Sequence, residues 1–267
     1  MTRSIKNPGS HPTHNLSATL QLIWYKAICD LRVEAARKFV GIMWWVLEPT
    51  IYMLTFYVVF SVGLRLGGED FVPFLLCGLV AWKWFATTVQ VGANTIPESR
   101  GLMNQVYFHK SILVGMLLTV NLLKALVVFF ILFIALSLMG HPPQQSWLAL
   151  PLLILVQLLL TAGIVSLAAA CVPFVPDLRL LIDNGIMIMF FASGIFFDIS
   201  ERSPDVQALL YLNPIAVLIT EYRQVLLYGA WPDWQSLAII TGVGVALSAF
   251  GLYLIERFDR TFPKVIL

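Results

Sequence analysis

The chain has 267 residues, of which 59% are hydrophobic and only 12% are charged. Soluble domains carry about 25% charged residues, so this composition excludes a water-soluble globule. A helix needs about 20 consecutive apolar residues to cross the hydrocarbon core of a membrane. Six blocks approach or exceed that length with at most one charge in each: 42–64, 71–96, 111–140, 146–172, 180–197 and 234–255. Because helices bond all their backbone groups internally, we predict an all-α integral membrane protein with six transmembrane helices.

The segment before the first block predicts an amphipathic helix over 17–40. Residues 1–16 are polar and lack the apolar core of a signal peptide, so none is predicted. One face of the helix carries apolar residues and another carries charges at steps of four. These residues are Leu20, Trp24, Ala27, Leu31, Ala35 and Phe39 on the first face, and Lys26, Asp30, Glu34 and Lys38 on the second. Gly41 is expected to end the helix. We expect it to lie on the cytoplasmic membrane surface, as an anchor or as a docking surface.

The first block places Trp45, Glu48, Tyr52 and Phe56 on one helical face. Aromatic rings of this kind either contact the C–H faces of sugars or simply pack at the membrane interface and against other helices. A charge facing lipid at mid-depth is costly, so Glu48 is expected to face a cavity or another helix. The long stem of Lys83, in the second block, is expected to reach toward the headgroups.

The connection at 97–110 has mixed charge and is either a short cytoplasmic helix or a solvated loop. The fifth block ends in the cluster Phe190, Phe191, Phe196 and Phe197. The following segment, 198–233, holds two apolar runs too short to cross the membrane. Asn213 followed by Pro214 predicts a helix cap and first turn, and Gly229 predicts a stop. We predict re-entrant outer helices in this segment.

Positive charge is distributed unequally over the connections between blocks. Of the 17 Lys and Arg residues, six lie before residue 42, two in 97–110, one in 173–179 and three after 255. The positive-inside rule therefore predicts that both termini are cytoplasmic. The chain divides into a cytoplasmic N-terminus (1–41), a six-span domain (42–256) and a cytoplasmic tail (257–267).

Motifs for bond chemistry are missing from the sequence. The chain has no GxxxxGK[ST] phosphate loop and no HExxH zinc motif. No DxD pair suggests a sugar-nucleotide enzyme, and three separated cysteines form no CxxC pair. We therefore predict no catalytic residues, no metal site and no cofactor in this chain.

Four stretches together resemble the permease subunits of ABC-type polysaccharide exporters. The run from Arg37 to Pro49 resembles the entry to the first span of that family. Residues 74–86, with Trp82, Trp84 and Phe85, look like its second span. Residues 211–216 followed by Tyr222 and Arg223 resemble its outer re-entrant segment, and residues 257–262 resemble its tail. The likeness extends from about residue 30 to the end, and within the family it is closer to O-antigen permeases.

This resemblance implies a channel of two permease copies driven by two separate ATP-binding cassette subunits, which would hold the ATP and magnesium. The substrate would be a lipid-linked polysaccharide, O-antigen or alternatively capsule or teichoic acid, exported across the bacterial inner membrane. No nucleic acid is implied. The residues expected to act are the path residues Trp45, Glu48, Tyr52, Phe56, Phe190, Phe196 and Phe197, the exit residues Asn213, Pro214, Tyr222 and Arg223, and the ATPase-coupling residues Lys26, Asp30, Glu34, Glu98 and Arg100.

Two other classes remain open at this point. An integral membrane acyl or glycosyl transferase needs titratable groups clustered at one depth, whereas the four charges within the blocks are scattered over four of them. An ion-coupled secondary transporter often shows repeated halves, and the sequence has no visible repeat.

Overall fold

The computed structural model describes residues 16–37, 70–103, 105 and 108–265, together with nine isolated positions between 43 and 63. Within these residues all the regular structure is helical. Its elements are α1 (Leu16–Arg37), α2 (Phe71–Glu98), α3 (Arg100–Met103), α4 (Ser111–Leu138), a 3₁₀ turn (Gln145–Ala149), α5 (Leu150–Cys171), α6 (Leu178–Phe191), α7 (Pro204–Leu210), α8 (Pro214–Leu226), α9 (Trp234–Phe258) and α10 (Phe262–Val265). The end of the bundle at which α2 begins is called the outer end, in the orientation predicted from charge.

Four helices of the described chain are long and apolar enough to cross a membrane. They are α2, α4, α5 with its preceding 3₁₀ turn, and α9. These helices confirm four of the six predicted spans, with ends that differ from the predicted ones by only a few residues. The first predicted span, 42–64, lies outside the described residues apart from the isolated positions. The six-span count therefore stays a prediction.

The fifth predicted span is shorter than the sequence suggested. The helix there, α6, has 14 residues and ends at Phe191, whereas the apolar block runs to Phe197. Fourteen residues give a rise of about 21 Å, less than the roughly 30 Å of a hydrocarbon core. After Ala192 the chain turns through Gly194, whose φ of +66° suits a residue without a side chain. Apolar composition alone did not reveal this turn.

Helices α5 and α9 pack with their backbones almost in contact. A Cβ added to Gly244 of α9 would lie 2.8 Å from the backbone nitrogen of Leu160 on α5. One added to Gly251 would lie 2.6 Å from the Cβ of Ser166. Small residues at such positions let membrane helices approach closely, and the close approach increases the dispersion attraction between them. This attraction matters because the hydrophobic effect does not drive helices together within lipid. The pair is expected to move as one body.

Helix α2 lies at the centre of the described bundle. In its most apolar 18-residue window 78% of the residues are buried, against 22% for α4 and for α9. The Gln157 side chain of α5 donates a hydrogen bond of 2.8 Å from Nε2 to the Ala81 carbonyl of α2. A polar group in this position adds specificity to the contact between two apolar helices.

The end of the bundle opposite the outer end joins distant parts of the chain. The Lys110 backbone N–H donates to Asp259 Oδ1 at 3.0 Å, and Lys110 Nζ lies 3.5 Å from Oδ2. Both side chains are buried. The Phe174 ring packs against Phe258 and Phe262, with centroids 5.2 and 5.5 Å away. The residues after α9 are therefore packed against the bundle, and Phe262 is fully buried.

Helix α1 packs against the beginning of α4 at this same end. The Ile23 side chain reaches Gly115, where an added Cβ would be 3.0 Å from Cδ1, and Ala27 is fully buried. Lys26 and Asp30, two of the charges that the sequence places at steps of four, form an ion pair one turn apart on an exposed face. Trp24 and Tyr25 are exposed, as expected of an interfacial helix. The described helix ends at Arg37, and Gly41 lies outside the described residues.

Candidate functional site

Helix α2 carries a polar stripe along its second half. Lys83, Thr87, Gln90, Asn94 and Glu98 follow one another at steps of four, three, four and four residues. This spacing places them on a single helical face. Most other residues in this half of α2 are buried, whereas every member of the stripe is exposed or half-exposed. The face of the central span that is left uncovered by the described helices is therefore mainly polar.

The outer part of this stripe forms one wall of a cleft between α2 and α6. The cleft has a volume of about 220 Å³. Its polar lining comes from the stripe and from Asp183 of α6, whose Oδ2 lies 4.0 Å from Nε of Arg179. The lining residues are Leu79, Trp82, Lys83, Ala86, Thr87 and Gln90 on α2, and Asp183, Ile186, Met187 and Phe190 on α6.

The position of Lys83 differs from the expectation. It lies about 18 Å along the helix from Phe71 and about 22 Å from Glu98, which is farther than its side chain reaches. The structure places it on the wall of the cleft instead, together with Asp183. A charged group at this depth is costly in lipid and is found facing protein or water. The cleft is therefore a polar environment inside the membrane domain.

A group of aromatic rings lies beside the outer part of the cleft, and two of them, Trp82 and Phe190, line it. Phe190 lies at their centre, with ring centroids 5.7 Å from Trp82, 5.3 Å from Phe191 and 5.1 Å from Phe196. We call these four residues the aromatic cap. Tilted and edge-on rings at such distances attract one another beyond their burial alone. The phenylalanine cluster predicted from sequence is thus present in space, except that Phe197 packs against Arg202, with the guanidinium 4.9 Å from the ring centroid.

Arg223 of α8 anchors the turn that follows α6. Its Nη1 and Nη2 donate to the carbonyls of Gly194 and Ile195 at 2.8 and 2.9 Å, and its Nε donates to the Phe74 carbonyl at 3.2 Å. The guanidinium also lies 3.4 Å from the centroid of the Phe74 ring, an arrangement that favours a cation. Gly78 makes room for it, because an added Cβ would be 2.8 Å from Nη2. Arg223 therefore joins the outer segment to α2 and to the aromatic cap.

Asn213 makes a second connection to the same turn. Its side-chain oxygen accepts from the Ile215 N–H at 3.1 Å, and its Nδ2 donates to Ser193 Oγ at 2.9 Å. Pro214 occupies the first turn of α8. The cap and first turn predicted from Asn213 and Pro214 are confirmed, and the amide also holds the end of α6.

The remaining predicted site residues lie in several places. Trp45, Glu48, Tyr52 and Phe56 lie outside the described residues. Tyr222 is fully buried and its ring stacks on that of Phe129, with centroids 5.4 Å apart.

The predicted ATPase-coupling residues lie on α1 and around the end of α2. Lys26, Asp30 and Glu34 lie on α1, Glu98 is the last residue of α2, and Arg100 is the first residue of α3. Glu98 and Arg100 are both exposed. Their roles stay predictions.

Sequence reasoning missed Thr87, Gln90 and Asn94. The signal was present in the spacing of these polar residues within an apolar block, which repeats at the helical period from Lys83 to Glu98. Each residue alone is unremarkable in a membrane helix. Only their common face, and the burial of the other faces, shows that they form one surface.

The arrangement favours weak contacts over bond chemistry. Hydroxyl, amide and charged groups line the cleft together with the rings of Trp82 and Phe190. Such groups offer a hydrated, polyhydroxylated chain many exchangeable hydrogen bonds and stacking surfaces. The fold and this cleft define a multi-pass α-helical membrane protein with a partly polar cleft between two of its helices.

Comparison with known proteins identifies the family. The model of the ABC-2 type transporter family matches residues 30–227, and the chain belongs to that family. It is thus the membrane subunit of a transporter and not an enzyme. An O-antigen export system permease protein RfbA from Myxococcus xanthus is 27% identical over 239 residues, which cover 89% of this chain and 92% of the relative. A protein of the same name from Klebsiella pneumoniae is 22% identical over 254 residues, covering 95% and 98%.

Proposed function

We propose that this chain is the transmembrane subunit of an ATP-driven exporter that moves a lipid-linked polysaccharide, O-antigen, across the bacterial inner membrane. Two copies would form the channel, and two ATP-binding subunits would hold the ATP and magnesium. The names of the relatives from Myxococcus and Klebsiella support O-antigen over capsule or teichoic acid.

The observation that carries the proposal is the polar stripe on α2. A lipid-facing stripe of this kind would be costly, so it has to face water or polar partners. It runs from mid-membrane to the end of α2 that we predict to be cytoplasmic, about 22 Å in all. A glycan entering from the cytoplasm would meet Glu98 first, then the amide and hydroxyl groups of the stripe, and the aromatic cap last.

In this scheme the aromatic cap closes the path at its outer end. Because Arg223 and Asn213 hold the turn beside the cap, a movement of α8 would shift Phe196 and open the exit. The aromatic residues Trp45, Tyr52 and Phe56 of the first predicted span would supply a second wall of the path. Changing these three residues together to alanine is expected to slow export at unchanged protein level and thermal stability. Normal export by a stable triple variant would remove them from the path.

The energy of ATP hydrolysis would enter at the end of the bundle opposite the aromatic cap, which we predict to be cytoplasmic. The exposed helix α1 and the connection around Glu98 and Arg100 are the surfaces available to ATP-binding subunits there. A short helix such as α3 can seat in a groove of a partner. Force applied to α1 would pass to α4 through the contact between Ile23 and Gly115.

A matched pair of substitutions on α2 tests the path. Thr87→Val and Thr95→Val make the same chemical change on one helix, but only Thr87 belongs to the stripe. In a strain lacking the chromosomal gene, we expect Thr87→Val to reduce surface polysaccharide and to accumulate lipid-linked polymer inside the cell. Thr95→Val should export normally. Equal export by both variants, at equal protein level, would contradict the assignment of the stripe.

The proposed orientation is tested separately by reporter fusions. Fusions at Ser10 and Lys264 are expected to report a cytoplasmic location, and fusions at Gln144 and Ser203 a periplasmic one. A cytoplasmic signal at Ser203 would overturn the six-span topology and the outer position of 198–233.

A further inference from the structure

A second, larger cavity lies away from the cleft, between α8 and α9 at the outer end. This groove has a volume of about 610 Å³ and shares no lining residue with the cleft between α2 and α6. Its lining residues are Tyr211, Leu212, Pro214, Val217, Thr220, Glu221, Asp233, Ser236, Ile239, Ile240 and Val243.

The groove is polar at one end and apolar at the other. Asp233 and Ser236 lie at the beginning of α9, with Glu221 of α8 beside them. Val243 lies seven residues beyond Ser236, which is about 10 Å deeper along the helix. Ile239 and Ile240 continue the apolar wall between these depths. The lining thus changes from polar to apolar in the same direction as an outer leaflet changes from headgroups to acyl chains.

Glu221 is the polar group in the groove that calls for a partner. It is only 7% exposed, and its Oε2 accepts the Asp233 backbone N–H at 2.9 Å. Among the described residues, no Lys or Arg forms an ion pair with it, and no hydrogen bond reaches its other oxygen. Burial raises the pKa of this carboxyl, whereas the Asp233 hydrogen bond lowers it. A buried carboxylate is normally compensated by a cation or by several donors.

Asp233 is already occupied by the start of its own helix. Its Oδ1 accepts the Gln235 N–H at 3.1 Å, and its Oδ2 accepts both the N–H and the hydroxyl of Ser236, at 3.2 and 2.6 Å. This is an ordinary helix cap, and it leaves Asp233 with less capacity for a further donor. The two carboxylates together make the polar end of the groove unfavourable for a headgroup with a net negative charge.

We propose that this groove binds an outer-leaflet phospholipid whose headgroup carries a primary ammonium. The ammonium would donate to Glu221, and an acyl chain would lie along Ile239, Ile240 and Val243. A charged donor compensates the buried carboxylate better than a sugar hydroxyl does. The deep wall is apolar and suits an acyl chain, not a glycan. A bound lipid would join α8, which carries Arg223, to α9.

The test uses the full chain in nanodiscs that contain equal amounts of phosphatidylethanolamine, phosphatidylcholine and phosphatidylglycerol with identical acyl chains. Native mass spectrometry then counts the lipids that remain bound after transfer to detergent. For the wild-type chain we expect about tenfold more phosphatidylethanolamine than phosphatidylglycerol, equivalent to a preference of one order of magnitude in affinity. Phosphatidylcholine, whose ammonium has no N–H, should be retained less well than phosphatidylethanolamine.

Three variants assign the binding to this groove. Glu221→Gln keeps the size and the acceptor for the Asp233 N–H but removes the charge, so its preference should fall to within about twofold. Asp205→Asn, an exposed residue of α7 outside the groove, should keep the wild-type preference. Val243→Trp fills the deep half and should lose the retained lipid of all three kinds. Equal retention of the three lipids by the wild-type chain, or an unchanged preference in Glu221→Gln, would overturn the proposal.

Discussion

Replacing Gly244 by alanine is expected to destabilise the contact between α5 and α9. The added Cβ would lie 2.8 Å from the Leu160 nitrogen and 2.9 Å from the Leu159 carbonyl carbon, whereas unstrained non-bonded atoms lie about 3.5–4.0 Å apart. Both atoms belong to the backbone and cannot rotate away, so the helices have to separate by several tenths of an ångström or more. Overpacking of this kind costs about 1–3 kcal/mol.

Gly242 provides a matched control on the same helix. A Cβ added there meets nothing within 4 Å, so Gly242→Ala changes only the intrinsic helix propensity, by about 1 kcal/mol in favour of alanine. Gly244→Ala gains the same propensity and loses the packing. The difference between the two variants therefore isolates the cost of separating α5 from α9, which we place at about 1–3 kcal/mol.

The measurement is the thermal unfolding midpoint of the purified variants in one detergent. For chains of this size 1 kcal/mol corresponds to about 2–4 °C, so we expect Gly244→Ala to unfold on the order of 5 °C below Gly242→Ala. Gly251→Ala should behave like Gly244→Ala because its added Cβ would lie 2.8 Å from the Leu167 nitrogen. A Gly244→Ala variant as stable as Gly242→Ala would show that the two helices do not pack at backbone distance.

Substitutions at three further sites give expected outcomes. Arg223→Lys keeps the charge but loses most of the three hydrogen bonds to carbonyls, and it should cost about 3 kcal/mol of stability in thermal unfolding. Asp259→Asn removes the negative charge that faces the buried Lys110 ammonium, and a loss of about 3 kcal/mol is expected. The double variant Lys110→Met, Asp259→Leu should recover part of that loss, and a double variant less stable than Asp259→Asn would contradict a charge-based cost. Charge reversal at Glu98 and Arg100 should reduce export while membrane insertion stays normal; export by the purified permease without any ATPase would refute a coupling role.

The outer segment shows how far local patterns reach. Asn213 and Pro214 predict the start of α8 because a cap and a fixed φ act on their own neighbours, and the helix begins there. The family resemblance, and not a local pattern, placed Arg223 at the exit, and it did not reveal that its guanidinium bonds to Gly194 and Ile195. Those carbonyls are available only because the chain turns after Phe191, and that turn lies inside a block that is apolar throughout.

The sequence by itself determined the membrane class, four of the crossing helices, the capped outer helix and the family, because apolar length, helical period and capping residues act over a few turns. Tertiary structure decided which faces meet. It brought the stripe of Lys83, Thr87 and Gln90 opposite Asp183, and it placed Glu221 in a groove with α9. It also paired Lys110 with Asp259, 149 residues away. Such pairings depend on how the helices pack in three dimensions, and no single segment carries that information.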